Sequence, residues 1–165
     1  MSPYALPEGN VQIAFSGGRT SGFMLHEIME ANGGLPDRVK VVFTNTGREM
    51  PATLDFVQEC GERWGVRITW VEYRCRFTGS PHDPRRHIFD SAAHSFDVVS
   101  HNSASRDGQP LVDIMRYFQL TPNRKMRVCS HEGPTRTARR YCVAEGWERW
   151  TTAIGIRADE AGRAL

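Results

Sequence analysis

Short apolar, β-branched runs alternate with helix-length stretches from the start of the chain to Val71, and this alternation restricts the fold more than any other feature. Residues 11–15 (Val-Gln-Ile-Ala-Phe) read as a buried strand, 20–31 as a helix, and 39–44 as a second strand. Pro51 suits the first turn of a helix running to about residue 64, with Leu54, Phe56, Val57 and Cys60 for its inner side. Residues 66–71 alternate like a third strand. Strand, helix, strand, helix, strand at this spacing predicts parallel βαβ units with right-handed crossovers, so the expected class is α/β, an open parallel sheet flanked by helices. Ligands in such sheets bind beyond the carboxyl ends of the strands. Ser16-Gly17-Gly18 and Asn45-Thr46-Gly47 both fall there.

The turn Ser16-Gly17-Gly18-Arg19-Thr20-Ser21 joins the first strand to the first helix. Glycines let a backbone approach an anion closely. The N–H groups and the dipole of the helix start then offer positive potential. The turn lacks the Gly-Lys-Ser/Thr ending of a Walker loop, and it lacks the three spaced glycines of a dinucleotide fingerprint. An ordinary βα turn is the bland alternative.

Beyond residue 74 the pattern weakens. Residues 74–110 are rich in His, Asp, Ser and Pro and are read as an insertion or lid, with one helix near 86–94. Short helices are expected at 111–118 and from Pro134 to about 145, and a last strand at 150–154 ending at Gly155. His87, His94 and His101 recur every seven residues, as do Asp83, Asp90 and Asp97. That spacing drifts around a helix and contains no His-Glu-x-x-His pattern, so a polar lid is preferred to a metal site.

With 165 residues the chain is read as one domain, 1–165. A formal charge of +2 does not by itself argue for nucleic acid. The late cations Arg116, Arg124, Lys125, Arg127, Arg136, Arg139 and Arg140 suit a ligand bearing phosphate or sulfate as well as a polynucleotide. No apolar run is long enough for a bilayer, and residues 1–10 do not read as a secretion signal. The expected setting is therefore cytoplasmic, with no membrane partner and with Cys60, Cys75, Cys129 and Cys142 reduced.

Three segments in order carry a specific resemblance. The first is Ser16-Gly17-Gly18-Arg19-Thr20-Ser21, the second Thr44-Asn45-Thr46-Gly47-Arg48-Glu49 followed by Thr53-Leu54-Asp55-Phe56, and the third Gly155-Ile156-Arg157-Ala158-Asp159-Glu160. Together the chain resembles the phosphoadenosine phosphosulfate reductase-like branch of the adenine-nucleotide alpha-hydrolase superfamily, including its phage-encoded members. The resemblance implies a Rossmann-like architecture and a pyrophosphate-binding loop. It also implies ATP or a related adenine nucleotide as ligand, with magnesium carried mainly by the phosphates and no metal held by protein side chains.

On that resemblance, Ser16, Gly17, Gly18, Arg19, Thr20 and Ser21 hold the diphosphate. Asn45 and Gly47 border the adenosine, and Gly155 belongs to the third segment. Arg127, in the Arg-x-Cys stretch ending at Cys129, and Arg157 face the reacting end. Alternatives remain: a solvated Arg19, turn chemistry alone for Asn45-Thr46-Gly47, and an ion pair of Arg157 with Asp159 or Glu160. Thr20 stands where many relatives carry Asp, and the lysine expected after the cysteine is absent.

The implied reaction is cleavage of the α,β-phosphate bond with adenylyl transfer to an unidentified second substrate. Sulfonucleotide reduction is the runner-up, because no Glu-Cys-Gly-x-His-type segment is present before Leu165. A nucleotide-binding module without turnover is a third reading. Sulfur transfer on nucleic acid, a fourth, rests only on the arginine cluster. A homo-oligomer is compatible with all four.

Overall fold

A computed structural model describes residues 2–76, 93–119, 121 and 128–156. It contains five strands in one mostly parallel sheet of order β4-β3-β2-β1-β5, with β1 at Val11–Ala14, β2 at Val39–Asn45, β3 at Ile68–Cys75, β4 at His94–Val99 and β5 at Thr151–Ile154. Helices α1 (Arg19–Asn32) and α2 (Pro51–Trp64) occupy the first two crossovers, as the alternation requires. The α/β class read from the sequence is the class observed. The described residues cluster into two compact units. One unit is drawn from Met1–Phe43, Ala52–Thr69 and Gly146–Leu165, the other from Thr44–Pro51 and Trp70–Glu145.

In the first unit β1 is flanked by parallel partners on both sides. Val11 to Ala14 align with Val39 to Val42 on one side and with Thr151 to Ile154 on the other. A strand in that position is buried on both faces, which is why it reads as a nearly continuous apolar run. Val11 and Ile13 are fully buried, and each such aliphatic side chain contributes about 1.5–3 kcal/mol relative to exposure. The polar exception, Gln12, is buried but satisfied: Trp150 Nε1 donates to its Oε1 at 3.2 Å and Thr152 Oγ1 at 3.4 Å. Helix α1 buries Met24, Leu25 and Ile28 at helical spacing, and α2 buries Leu54, Val57 and Cys60. Gly33, at φ 65°, ends α1 in the left-handed region, where the missing Cβ removes the steric cost. Asn32 then ties down the N-terminal segment. It accepts from the Leu6 N–H at 3.1 Å and donates to the Tyr4 carbonyl at 2.9 Å.

In the second unit β3 and β4 pair antiparallel, from Trp70 opposite Val99 to Cys75 opposite His94. Tyr73, Cys75, Ala93, Ile114 and Tyr117 form the apolar cluster, with Phe118 against it. Helix α3 (Gln109–Phe118) opens with Pro110 in its first turn, where a missing N–H costs nothing.

Two sequence expectations are corrected here. β4 occupies part of 74–110, where no strand was expected, and His94 starts that strand where the helix near 86–94 was to end; residues 77–92 lie outside the described residues. The helix expected to begin at Pro134 begins earlier, with α4 at Val128–Ser130, a π-helical turn at His131–Arg136 and α5 at Thr137–Ala144. A proline inside an α-helix lacks its N–H and clashes with the carbonyl four residues back. The wider π turn accommodates it, and side chains take up the carbonyls: Thr135 Oγ1 donates to Ser130 O at 3.3 Å and Thr137 Oγ1 to Glu132 O at 2.8 Å.

Candidate functional site

In the first unit, the chain leaves β1 through Phe15, whose N–H still bonds Val42 O at 3.0 Å, and then turns sharply. Gly17 makes the turn possible. Its φ is 71°, and a Cβ there would lie 2.7 Å from Thr53 Cγ2 and 2.9 Å from Val57 Cγ2. Both backbone conformation and space therefore demand glycine. Gly18 is the N-cap of α1 at φ −96° and ψ 162°, with no side-chain cap. The first helical bond runs from the Gly22 N–H to the Gly18 carbonyl at 2.9 Å. Among the described residues, the backbone N–H groups of Gly17, Gly18, Arg19, Thr20 and Ser21 have no hydrogen-bond acceptor. These amides gather at the positive end of a helix of 14 residues.

Ser21 organises the turn from within. It is buried, it accepts from the Ser16 N–H at 3.2 Å, and it donates to the Gly18 carbonyl at 2.9 Å. Its single proton is thereby used, so in the 3.0 Å contact with Ser16 Oγ the Ser16 hydroxyl is the donor. Ser21 thus shapes the loop rather than offering its hydroxyl to a ligand. Ser16, Gly18 and Arg19 are exposed and Thr20 half-buried, while Gly17 and Ser21 are buried, so the donors most open to an anion are the amides of Gly18, Arg19 and Thr20 and the Thr20 hydroxyl. Gly155, just past β5, abuts the same turn: a Cβ there would lie 3.3 Å from Ser21 Cα, Ser21 N and Thr20 O. The first and third sequence segments thus meet at residues 20, 21 and 155. Arg157 lies outside the described residues.

In the second unit Asn45 is a hub. Its Nδ2 donates to Glu72 Oε1 at 2.6 Å and to the Ser105 carbonyl at 2.8 Å, and its Oδ1 accepts the Gly47 N–H at 3.1 Å. The Ser105 N–H also reaches Glu72 Oε1, at 2.7 Å. Gly47, at φ 78°, packs so closely that a Cβ would lie 2.8 Å from Gly108 Cα. Thr46 donates to Glu49 at 2.7 Å. These contacts give the side chain of Asn45 turn-building work, and Glu72 and Ser105 join a constellation that the sequence reading missed. Nothing in the spacing of 45, 72 and 105 signals it.

Two cavities among the described residues lie in the same unit. One, of about 530 Å³, is polar and lined by Glu72, Arg74, Arg106, Asp107 and Asp113 among others. The other, of about 260 Å³, has Asn45, Thr46, Tyr73, Ile114, Cys129 and Pro134 in its wall. All four cysteines are thiols; Cys60, Cys75 and Cys142 are buried and Cys129 is partly exposed. Burial, aided by Glu59, pushes the Cys60 thiol up. Arg124, Lys125 and Arg127 lie outside the described residues. Among the described residues no group of His, Cys, Asp and Glu is arranged to hold a metal.

Sequence reading also missed a buried charge cluster. The Glu132 carboxylate, 2% exposed, accepts from Arg136 and, at 2.9 Å, from Arg140, with His94 Nδ1 at 4.0 Å. Burial pushes the Glu132 carboxyl up; the Arg140 and Arg136 guanidiniums more than offset this and hold it below its ordinary value. His94 sits 2.6 Å from the Tyr73 hydroxyl and stacks on Phe118, so it belongs to the aromatic core. Of the other residues in the seven-residue series, His101 meets the Trp70 ring edge-on and Asp97 pairs with Arg74, while Asp83, His87 and Asp90 lie outside the described residues.

Residues 10–81, which include the glycine turn and the Asn45–Gly47 segment, match the family of the phosphoadenosine phosphosulfate reductase domain. Over this stretch the chain is similar to that domain. It is also 28% identical over 158 residues to the uncharacterized nin region protein ORF290 of Escherichia phage lambda, a match covering 92% of this chain and 49% of that protein. The chain thus spans about half the length of this curated relative. No solved structure matches it significantly. No helix among the described residues is long and apolar enough to cross a membrane.

Proposed function

We propose that this chain binds ATP or a related adenine nucleotide through residues 16–21 and cleaves its α,β-phosphate bond, transferring the adenylyl group and releasing pyrophosphate. The observation that carries the reading is the row of amides from Gly17 to Ser21 at the start of α1, which have no acceptor among the described residues. A diphosphate leaving the α-phosphorus gains negative charge, and prepositioned N–H donors stabilise that charge without reorganising. Thr20 supplies a hydroxyl, and rotation of the Ser16 hydroxyl away from Ser21 supplies another. Ser21 and Gly155 keep the amides in place. Arg19, exposed beside the loop, adds a cation that screens the outer phosphates. Arg127 and Arg157 are proposed at the reacting end, where a guanidinium can fork onto phosphate oxygens.

In the reaction the second substrate's nucleophilic atom forms a bond to the α-phosphorus while the bond to the α,β-bridging oxygen breaks. The electron pair leaves with pyrophosphate. Magnesium, when bound, neutralises phosphate charge. The loop has no carboxylate, which suits a metal held by phosphate oxygens rather than by side chains.

Titration calorimetry with magnesium–ATP tests binding, and a coupled pyrophosphate assay tests cleavage. Saturable binding that is lost when Ser16 and Gly18 are replaced together, in a variant with an unchanged circular dichroism spectrum, is the expected result. Equal affinity in that variant would remove the loop from the reading. Tight binding with no pyrophosphate released over a panel of nucleophiles would reduce the function to nucleotide capture.

A further inference from the structure

The larger cavity of the second unit takes no part in the steps above. None of residues 16–21 lines it, and neither do Asn45 and Gly47. Its volume of about 530 Å³ lies within the roughly 300–1,000 Å³ usual for small-molecule sites. Glu72 and Arg74 share one face of β3, while Gln109 and Asp113 come from α3 and Asp107 from just before it.

The wall holds three carboxylates, Glu72, Asp107 and Asp113, and each is only half used. Glu72 Oε1 accepts from Asn45 Nδ2 and from the Ser105 N–H. Asp113 Oδ1 accepts from Gln109 Nε2 at 2.6 Å. Asp107 Oδ1 accepts from the Ser105 hydroxyl at 2.7 Å and from the Gln109 N–H at 3.0 Å. The second oxygen of each has no donor among the described residues. Glu72 and Asp113 are each 7% exposed, yet their free oxygens are not sealed: the one sealed, partnerless side-chain polar atom among the described residues is Arg140 Nη1. These oxygens open on the cavity that both residues line. A carboxylate so deeply set and half-partnered is costly unless a donor reaches it. The Ser105 hydroxyl and the Gln109 N–H, with the Arg48 guanidinium nearby, hold the Asp107 carboxyl below its ordinary value.

The donors of the wall are largely turned elsewhere. Arg74 is paired with Asp97, and Arg106 grips the His101 and Ala104 carbonyls of its own loop. Three carboxylates thus face one guanidinium, Arg106, that has no acidic partner among the described residues. Anions are disfavoured by the carboxylates themselves. A single metal ion does not bridge them, since no such group among the described residues is arranged to hold one. Dispersed acceptors call for a ligand that carries several cationic donors on one chain. Tyr73 and Pro110 add apolar surface to the same wall, which suits methylene groups.

We infer that this cavity binds an aliphatic di- or polyamine, with its ammonium groups on Glu72, Asp107 and Asp113. This ligand is independent of the nucleotide proposed for residues 16–21.

Titration calorimetry of the intact chain with spermidine, without nucleotide and at about 0.15 M salt, tests it. One saturable site is expected. Asp113→Asn keeps the acceptor for Gln109 and removes the charge; the loss of one charge-assisted hydrogen bond is expected to weaken spermidine about tenfold. Asp107→Asn likewise keeps its acceptor; at its exposed position it is expected to weaken binding about threefold, and it reads the site even where Asp113→Asn does not fold. Glu59→Gln, which alters an exposed acid on α2, is the control and is expected to change nothing. No saturable heat up to millimolar spermidine, or unchanged affinity in folded variants at both 107 and 113, overturns the inference. Equal weakening by Glu59→Gln, or displacement of spermidine by magnesium at matched ionic strength, overturns it too, because either shows general attraction of a polycation. The variant with Ser16 and Gly18 replaced together is expected to bind spermidine as the wild type does while losing magnesium–ATP, which separates this claim from the one about the loop. Loss of both ligands in that variant moves spermidine out of the cavity.

Discussion

Replacing Arg19 with proline removes one main-chain amide from the loop and almost nothing else. Arg19 is the first residue of α1, the position where proline is best tolerated, because its N–H has no helical acceptor there and its φ already suits the helix. The preceding residue must be extended for a proline to follow, and Gly18 already is, at φ −96° and ψ 162°. The fold should therefore accept Arg19→Pro within about 0.5 kcal/mol, the usual range for surface changes. A hydrogen bond from an amide to a charged group is worth about 1.5–3 kcal/mol. At about 1.4 kcal/mol per decade, losing it weakens magnesium–ATP binding roughly 10- to 100-fold. The variant also loses a guanidinium, so Arg19→Ala is the control. An exposed cation near phosphates is expected to account for a few-fold at most, and that part fades as salt rises. The excess of the proline effect over the alanine effect, measured by calorimetry at two salt concentrations, isolates the amide. If the two variants bind ATP equally while urea melts show both fully folded, the amide row does not grip the nucleotide and the argument for the loop fails.

Gly17→Ala should act on stability instead. A left-handed backbone costs an L-residue about 1–2 kcal/mol, and a methyl forced between Thr53 and Val57 adds about 1–3 kcal/mol of overpacking. A loss of about 2–5 kcal/mol in urea unfolding is expected, and a midpoint unchanged from wild type would contradict the turn geometry. Glu132→Gln should cost about 2–4 kcal/mol, because it leaves Arg140 and Arg136 facing a neutral group; the partly exposed arginines moderate the loss. The pH dependence has a defined sign. The folded Glu132 carboxyl titrates lower than in the unfolded chain, so its stabilisation is fully present above the ordinary carboxylate value of about 4.3 and fades as pH falls through the lowered one. The stability gap between wild type and Glu132→Gln should shrink over that acidic window. A gap that stays constant would show that Glu132 is not the titrating group.

The parts legible in the sequence were those with strong periodicity. Buried β1 announces itself as an apolar run, and α1 and α2 carry their inner faces at helical spacing. The strand β4 was illegible because its pattern is diluted by function-like letters. His94 opens it and Asp97 sits within it, yet His94 is spent on aromatic stacking and Asp97 on Arg74. The π turn was hidden because Pro134 reads as a helix start, while the chain around it widens to keep a proline in mid-helix. At the loop, the residue types were readable but their division of labour was not. Only coordinates reveal that Ser21 spends its proton on Gly18, or that Gly47 is glycine because Gly108 lies against it. The Glu132 cluster joins β4 to the turn before α5, and a local reading has no means of pairing such distant charges.

The contact of Gly155 with Thr20 and Ser21 has a consequence for when the chain becomes competent. The turn at residues 16–21 is made as α1 begins, but the residue packed against it, Gly155, is made only after β5. A chain emerging from the ribosome can wind α1 early, yet the cradle stays unbraced until β5 slides in beside β1. The proposed ligand capture thus waits on residues far along the chain, and a copy that stops before β5 lacks the brace.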